Sequence, residues 1–306
     1  MNTSHSDYSF DLGTHCPDFV VTNDEEAGWF ETGLSWFYGF NHEEAIGCFR
    51  SAARADDGFS LACWGIAISS GPFMNKPREW LTMPEKEQAL AACHGAVAKA
   101  RSRATNVPPE ARALIEALAV RYPRTEVPED GVLASWERAY ADAMIPVYEA
   151  VGDDPDIAAL CIDSHIMLTL CQIYDVDKCA PNPEAREREI QAALERSLTV
   201  TGADHIGVLH FDIHVQEMSP TPEEVVPSAR WLQELALPDA GHLQHMPSHI
   251  HALVGDFEEA TRCSRLSMAT DKRFMANLHR SPFYRTLVCH DVHMLMFAGM
   301  QTGNLA

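Results

Sequence analysis

The chain lacks any apolar run near the roughly 18 residues that a membrane span requires, although 46% of its 306 residues are hydrophobic. Basic residues are scarce. Against 44 Asp and Glu stand 23 Lys and Arg, and a net charge of −21 offers no basic footprint for a phosphate backbone. The opening segment, MNTSHSDYSFDLGTHCPDF, has neither the basic region nor the apolar stretch of a secretory signal. The nine cysteines include no C-x-x-C pair, and their odd number and irregular spacing read as reduced thiols. Phosphate-cradling G-x-x-x-x-G-K, the dinucleotide fingerprint, G-x-S-x-G and H-E-x-x-H are all missing, which removes the common nucleotide, serine-hydrolase and zincin readings. These absences predict a cytoplasmic protein with no membrane partner and no nucleic-acid partner.

Alternating Val/Ile/Thr-rich runs are also missing, and nearly every segment after residue 25 has helical periodicity, with prolines falling between segments. The spacing predicts about a dozen helices and an all-α fold. Asn106-Val-Pro-Pro-Glu-Ala opens a helix expected to run to about Tyr122, and Asp154-Pro-Asp opens another to about Tyr174. Thr221-Pro222-Glu223-Glu224 has the residue order of a capping box. Residues 1–24 read as an N-terminal tail. Residues 25–306 read as one helical-repeat domain, with scaffold repeats over 25–200 and histidine-rich repeats over 201–306.

The helices come in pairs. Trp29 and Gly33 precede a turn at Asn41-His42, after which Ala45, Phe49 and Ala52 recur at helical spacing. This follows the tetratricopeptide pattern, with Asp57 where the consensus has proline. Small residues let two helices approach while Trp and Phe fill the gaps between pairs. Gly255-Asp256-Phe257-Glu258-Glu259-Ala260 repeats the turn, and the degenerate units between predict an irregular solenoid of antiparallel helix pairs.

Ten of the fifteen histidines lie between positions 205 and 293. At 100° per residue, His242, His245 and His249 fall within about 60° of one another, and His251 points the opposite way. His210, His214 and Glu217 share an arc of about 60° on another helix. Further on, His290 and His293 stand at i, i+3. Aligning Gly255 with Gly303, 48 positions on, places His242 on His290, His245 on His293 and Met246 on Met294. Equivalent positions of successive repeats line one face, so three helices would present seven histidines and a glutamate to a shared space.

Imidazoles at i, i+3 or i, i+4 on rigid helices are a metal-binding arrangement, and seven exceed what one ion needs. One or two transition-metal ions are therefore expected, held by His210, His214, Glu217, His242, His245, His249, His290 and His293. His42 is a weaker candidate, read first as capping the turn between paired helices. Asp212 and Asp291 could orient ligand rings, although both fall off the ligand face. His94 and His165 read as core or lining residues, and His205, His251 and His279 as outside the site.

WFYGFNHEEAIGCFRSAARAD, WGIAISSGPFMN, LHFDIHVQE, GHLQHMPSHI and CHDVHMLMFAGMQTGN together resemble a family of bacterial and fungal tetratricopeptide-repeat proteins. Its members share G-F-N-H-x-E-A, H-x-x-x-H-x-x-E, G-H-L-x-H-M-P-S-H-I and P-H-N-x-H motifs. The resemblance spans essentially the whole chain and implies a helical-repeat fold. Its motifs land on His42, His210, His214, Glu217, His242, His245, His249, His290 and His293. Two departures stand out. Cys289-His290-Asp291-Val292-His293 replaces P-H-N-x-H, and members of the family continue with further helices beyond the position of Gly303. The last helix is therefore expected to carry an apolar face covered by homodimerisation or by the N-terminal tail.

The histidine-rich donor set suits copper or iron, with zinc as a further option, better than magnesium or calcium. The leading expectation is a metal-dependent oxidoreductase acting on a small-molecule substrate. A zinc hydrolase with Glu217 as catalytic base, a peptide-binding scaffold, and a metal-storage protein are the alternatives.

Overall fold

A computed structural model of the chain describes residues 4–13, 17, 24–170, 172–201, 204–235, 237–277 and 283–303. The fold is all-α. Among the described residues the sheet is limited to β1 (Tyr174–Asp175) paired antiparallel with β2 (Ala180–Pro181). No described helix is long and apolar enough to cross a membrane.

The N-terminal helices are α1 (Asp24–Tyr38), α2 (His42–Ala55), α3 (Ser60–Ser70), α4 (Met83–Arg103), α5 (Pro109–Arg121), α6 (Asp130–Val151), α7 (Pro155–Ile166) and α8 (Glu187–Thr201). Each of them from α2 onward packs on the helix before it. In the first pair a Cβ on Gly33 would sit 2.6 Å from the Phe49 ring, so only glycine lets α1 and α2 meet over that buried ring. At this position it is the small residue that lets the two helices approach. α5 begins at Pro109, close to its expected start, and ends one residue before Tyr122.

Three local expectations are corrected. α7 stops at Ile166 rather than near Tyr174. The backbone tightens through Leu168 N–H to His165 C=O and Thr169 N–H to Ile166 C=O, then turns left-handed at Leu170 (φ 51°), and Tyr174 enters β1. Thr221 makes no side-chain cap, and Pro222–Val225 is a single 3-10 turn. A capping box occurs instead ahead of α4, where the Glu85 carboxylate accepts from the Thr82 N–H (2.8 Å) and also from its hydroxyl (2.7 Å). His42 does not cap the first turn either. It is the first residue of α2, and its ring reaches the Ser69 carbonyl (3.2 Å).

The C-terminal helices are α9 (Ile206–Gln216), α10 (Val226–Glu234), α11 (Gly241–His245), α12 (Pro247–Leu253), α13 (Phe257–Asn277) and α14 (Tyr284–Thr302). Gly255 and Gly303 are both left-handed (φ 82° and 71°), the backbone that the two aligned turns require of them. The chain also folds back on itself. α1 packs against α9, Phe10 lies against Phe274 of α13 (5.4 Å between centroids), and Asp11 exchanges hydrogen bonds with Asp239. The last described helix leaves Met296, Phe297 and Met300 exposed.

Candidate metal centre

α9, α11, α12 and α14 bring six of the predicted histidines together. His210, His214 and His242 form one group and His245, His249 and His290 a second, and in each a ring nitrogen from every member lies within 4.8 Å of the others. The groups adjoin, with ring centroids 6.1 Å apart for His242–His245 and 6.4 Å for His214–His249. Both groups could hold a metal ion.

The segment carrying four of the histidines is not one uninterrupted helix. Pro247 has no N–H to give, so the hydrogen-bonded ladder is interrupted there, although Met246 still bonds the His242 carbonyl (3.0 Å) and keeps helical dihedrals (φ −51°, ψ −41°). The histidines divide ahead of that break, within α11 itself. His242 joins the α9 pair, and His245 and His249 join α14. Gly241, one residue ahead of His242, is another enforced glycine: a Cβ there would lie 2.4 Å from Asp271 Oδ1 and 3.0 Å from Tyr284 Oη. The absent side chain lets α13 and α14 close on α11.

Hydrogen bonds fix which ring nitrogens face inward. His210 Nδ1 donates to the Tyr38 carbonyl (2.6 Å), because a carbonyl can only accept, and its buried Nε2 is left a bare acceptor without a partner. His214 Nδ1 meets Glu217 Oε1 at 3.1 Å, and His249 Nδ1 meets Glu217 Oε2 at 2.8 Å. Burial pushes the Glu217 carboxyl up, but the charge and hydrogen bonds of His214 and His249 outweigh it and hold the group below the usual carboxylate range. An ionised Glu217 accepts both Nδ1 protons, which turns the Nε2 atoms of His214 and His249 toward the other rings. One carboxylate thus orients a ring in each group.

The second group shows the consequence most sharply. His249 Nε2 lies 2.8 Å from His245 Nε2 and 3.1 Å from His290 Nε2. A ring nitrogen makes one such bond, as donor or as acceptor, and not two, so the three converging nitrogens cannot all be satisfied by one another. In the first group, His214 Nε2 and both nitrogens of His242 are also buried without partners. Each such orphan costs about 1–3 kcal/mol, and a cation shared by the lone pairs would remove that cost. Burial first, then neighbouring imidazoles, push His210, His242 and His245 well below the ordinary histidine range, and His290 down to about 4. Near neutral pH these rings are uncharged, the state in which imidazole binds metal.

The remaining expected residues fall outside the two groups. Glu217 faces the Nδ1 side of the rings rather than the converging Nε2 atoms. His293 is exposed. The buried face of α14 carries Tyr284, Leu287 and Asp291, and position 293 lies about 160° around the helix from Asp291. The 48-residue echo therefore brings one histidine of its second pair to the site. His42 is buried on the far side of Phe40, stacked on Phe73 at 3.9 Å. Asp291 was expected off the ligand face, yet it comes within 3.3 Å of His245 Nδ1, and burial and Asp271 push its carboxyl up to about 9. Asp212 instead accepts from Ser228 (2.5 Å). His205 caps α9 through Nδ1 to the Val208 N–H, His165 bonds the Cys161 carbonyl and His94 the Tyr122 carbonyl. His279 lies outside the described residues.

Two features escaped the sequence. Phe40 packs its ring on His210 (4.6 Å), His214 (5.6 Å) and His242 (5.3 Å), and adopts a left-handed backbone (φ 56°) that costs a non-glycine residue roughly 1 kcal/mol. His251, excluded from the main site, gathers Glu259 and Cys263 into a third group of metal-ligating types. There Gln233 Nε2 donates to Glu259 (3.0 Å) and Cys263 (2.7 Å), and Arg262 binds both Glu259 oxygens. Burial pushes the Cys263 thiol up to about 11. Its donors are thus already engaged, unlike those of the six-histidine site.

No protein-family model matches the chain, and no curated protein matches it either. The tetratricopeptide likeness rests on the motifs quoted above.

Proposed function

We propose that this chain is a dinuclear metalloenzyme of the tetratricopeptide-like type, performing oxidative chemistry on a small molecule with one copper ion in each three-histidine group. The observation that carries this reading is the inward set of bare or unpartnered Nε2 atoms, each backed by a fixed Nδ1 contact or buried without one. An all-imidazole set of three per ion favours copper over iron, because the carboxylate that an iron site would use is turned to the outer nitrogens. A copper pair, when bound, supplies two coupled one-electron redox steps. The chain's own part is orientation and exclusion of water. Tyr38 C=O holds His210, Glu217 holds His214 and His249, and Phe40 covers the first group.

Zinc hydrolysis with Glu217 as base is less well supported, since both Glu217 oxygens already accept from imidazoles and the group is held a weak base. A storage role would use the same ligands. The cavity of about 340 Å³ against Phe40 favours an enzyme. The exposed apolar residues of α14 support a homodimer through that helix, which a monomeric mass by sedimentation would remove. Aerobic copper loading of tag-free protein should give an oxygen-dependent absorption band that zinc loading does not. Copper bound with no response to oxygen would overturn the oxidase reading.

A further inference from the structure

The cavity beside the site is bounded by aromatic rings and has one distinctive charge. Phe40, Phe73 and Phe283 line it, together with His42, Lys76 and Leu287. Its volume of about 340 Å³ suits a molecule of one or two rings. Phe40 belongs to both spaces. It walls the cavity and also stacks on the three histidines of the first group.

The lining charges are not equivalent. Glu43, Arg50 and Glu85 are exposed at the rim, and Glu85 is engaged by Thr82. Lys76 is the one charged lining residue that is half-buried among the described residues, and it makes no ion pair there. Its ammonium lies over the Phe283 ring at 5.7 Å. In a chain of net charge −21, a cation held over an aromatic wall is suited to an anionic group on an aromatic body. His42 adds a second requirement. Its Nδ1 donates to the Ser69 carbonyl, so its buried Nε2 is a bare acceptor, and it has no partner. A hydroxyl on the ligand would supply the missing proton.

Resting on the metalloenzyme reading above, we infer that this cavity is the organic-substrate pocket and takes a hydroxyaryl carboxylate. The ring lies among Phe40, Phe73 and Phe283, the carboxylate on Lys76 and the hydroxyl on His42. Phe40 then separates the bound ring from the first histidine group by the thickness of one side chain.

Equilibrium binding of 4-hydroxyphenylacetate, measured by calorimetry on both metal-free and copper-loaded protein, tests this without reference to turnover. Binding is expected in both forms. Lys76→Ala should weaken it about tenfold, the hydroxyl-free probe phenylacetate should bind severalfold less tightly, and the cationic probe tyramine should not compete. Lys76 is partly exposed and its substitution leaves the core intact. Absence of binding to the native chain, an unchanged affinity in Lys76→Ala, equal binding of phenylacetate, or competition by tyramine would each overturn the inference. Failure of the metal reading would show separately, as protein that binds the probe and carries no metal.

Discussion

Glu217 is where single-residue chemistry bears on both histidine groups at once. Each of its oxygens receives an Nδ1 proton, one from His214 and one from His249. Gln at this position offers one carbonyl oxygen and one NH2, so one of the two rings must reverse its tautomer and turn its N–H inward. Glu217→Gln is therefore expected to weaken metal binding roughly 10–100-fold in one group and to spare the other, read by competition with a calibrated chelator. Equal affinity in native and variant protein would remove Glu217 from this role. His42 makes a different residue-scale prediction. Burial lowers its folded pKa from 6.5 to about 3. Above pH 6.5 neither state is protonated, and His42 contributes no pH dependence. Below that, the unfolded chain takes a proton that the folded chain refuses, and stability falls by about 1.4 kcal/mol per pH unit until about pH 3. Between pH 7 and pH 5 the native chain should lose about 2 kcal/mol more stability than His42→Phe, measured by urea unfolding of each protein at both pH values. Parallel losses would contradict a buried neutral His42.

The elements of the site are legible in the sequence to different depths. Helical periodicity and turn glycines were sufficient for α5, for the α1–α2 pair and for the left-handed turns at Gly255 and Gly303, because those depend on local geometry. The end of α7 was not legible. Its apolar pattern continues past Ile166, while the backbone tightens there and turns left-handed at a leucine, Leu170, which no pattern marks as a stop. Six of the eight expected ligands converge, since a helix face is readable at 100° per residue. Their division into two groups falls between His242 and His245 of one helix, and it appears only once α9 and α14 are placed. The fates of Glu217 and His293 were hidden for the same reason: one turns to the back of the rings, the other away from the packed face of α14. Gly241 belongs to this scale as well. Gly241→Ala must push Asp271 or Tyr284 aside, and overpacking of this kind costs about 1–3 kcal/mol. The expected outcome is that loss in urea unfolding of metal-free protein. A stability equal to native would mean that α11 and α13 have room to separate.

At the scale of the whole molecule, closure matters more than repetition. An open array of repeats would leave the α9–α14 histidines on one face. Here α1 returns to α9, Tyr38 fixes His210, and Phe40 seals the first group. Phe40 of the G-F-N-H motif at the start of the chain thus acts on histidines some 170 residues later, a relation that no local pattern contains. Closure also dries the site, and a dry six-imidazole site is unfavourable unless its lone pairs share cations. The most direct test is the metal content of tag-free protein. Two transition-metal ions per chain are expected, falling to one in His210→Ala and to one in His245→Ala, with the two variants losing different ions. A native chain that binds no metal, or a single ion that either variant abolishes, would contradict two adjoining three-histidine centres.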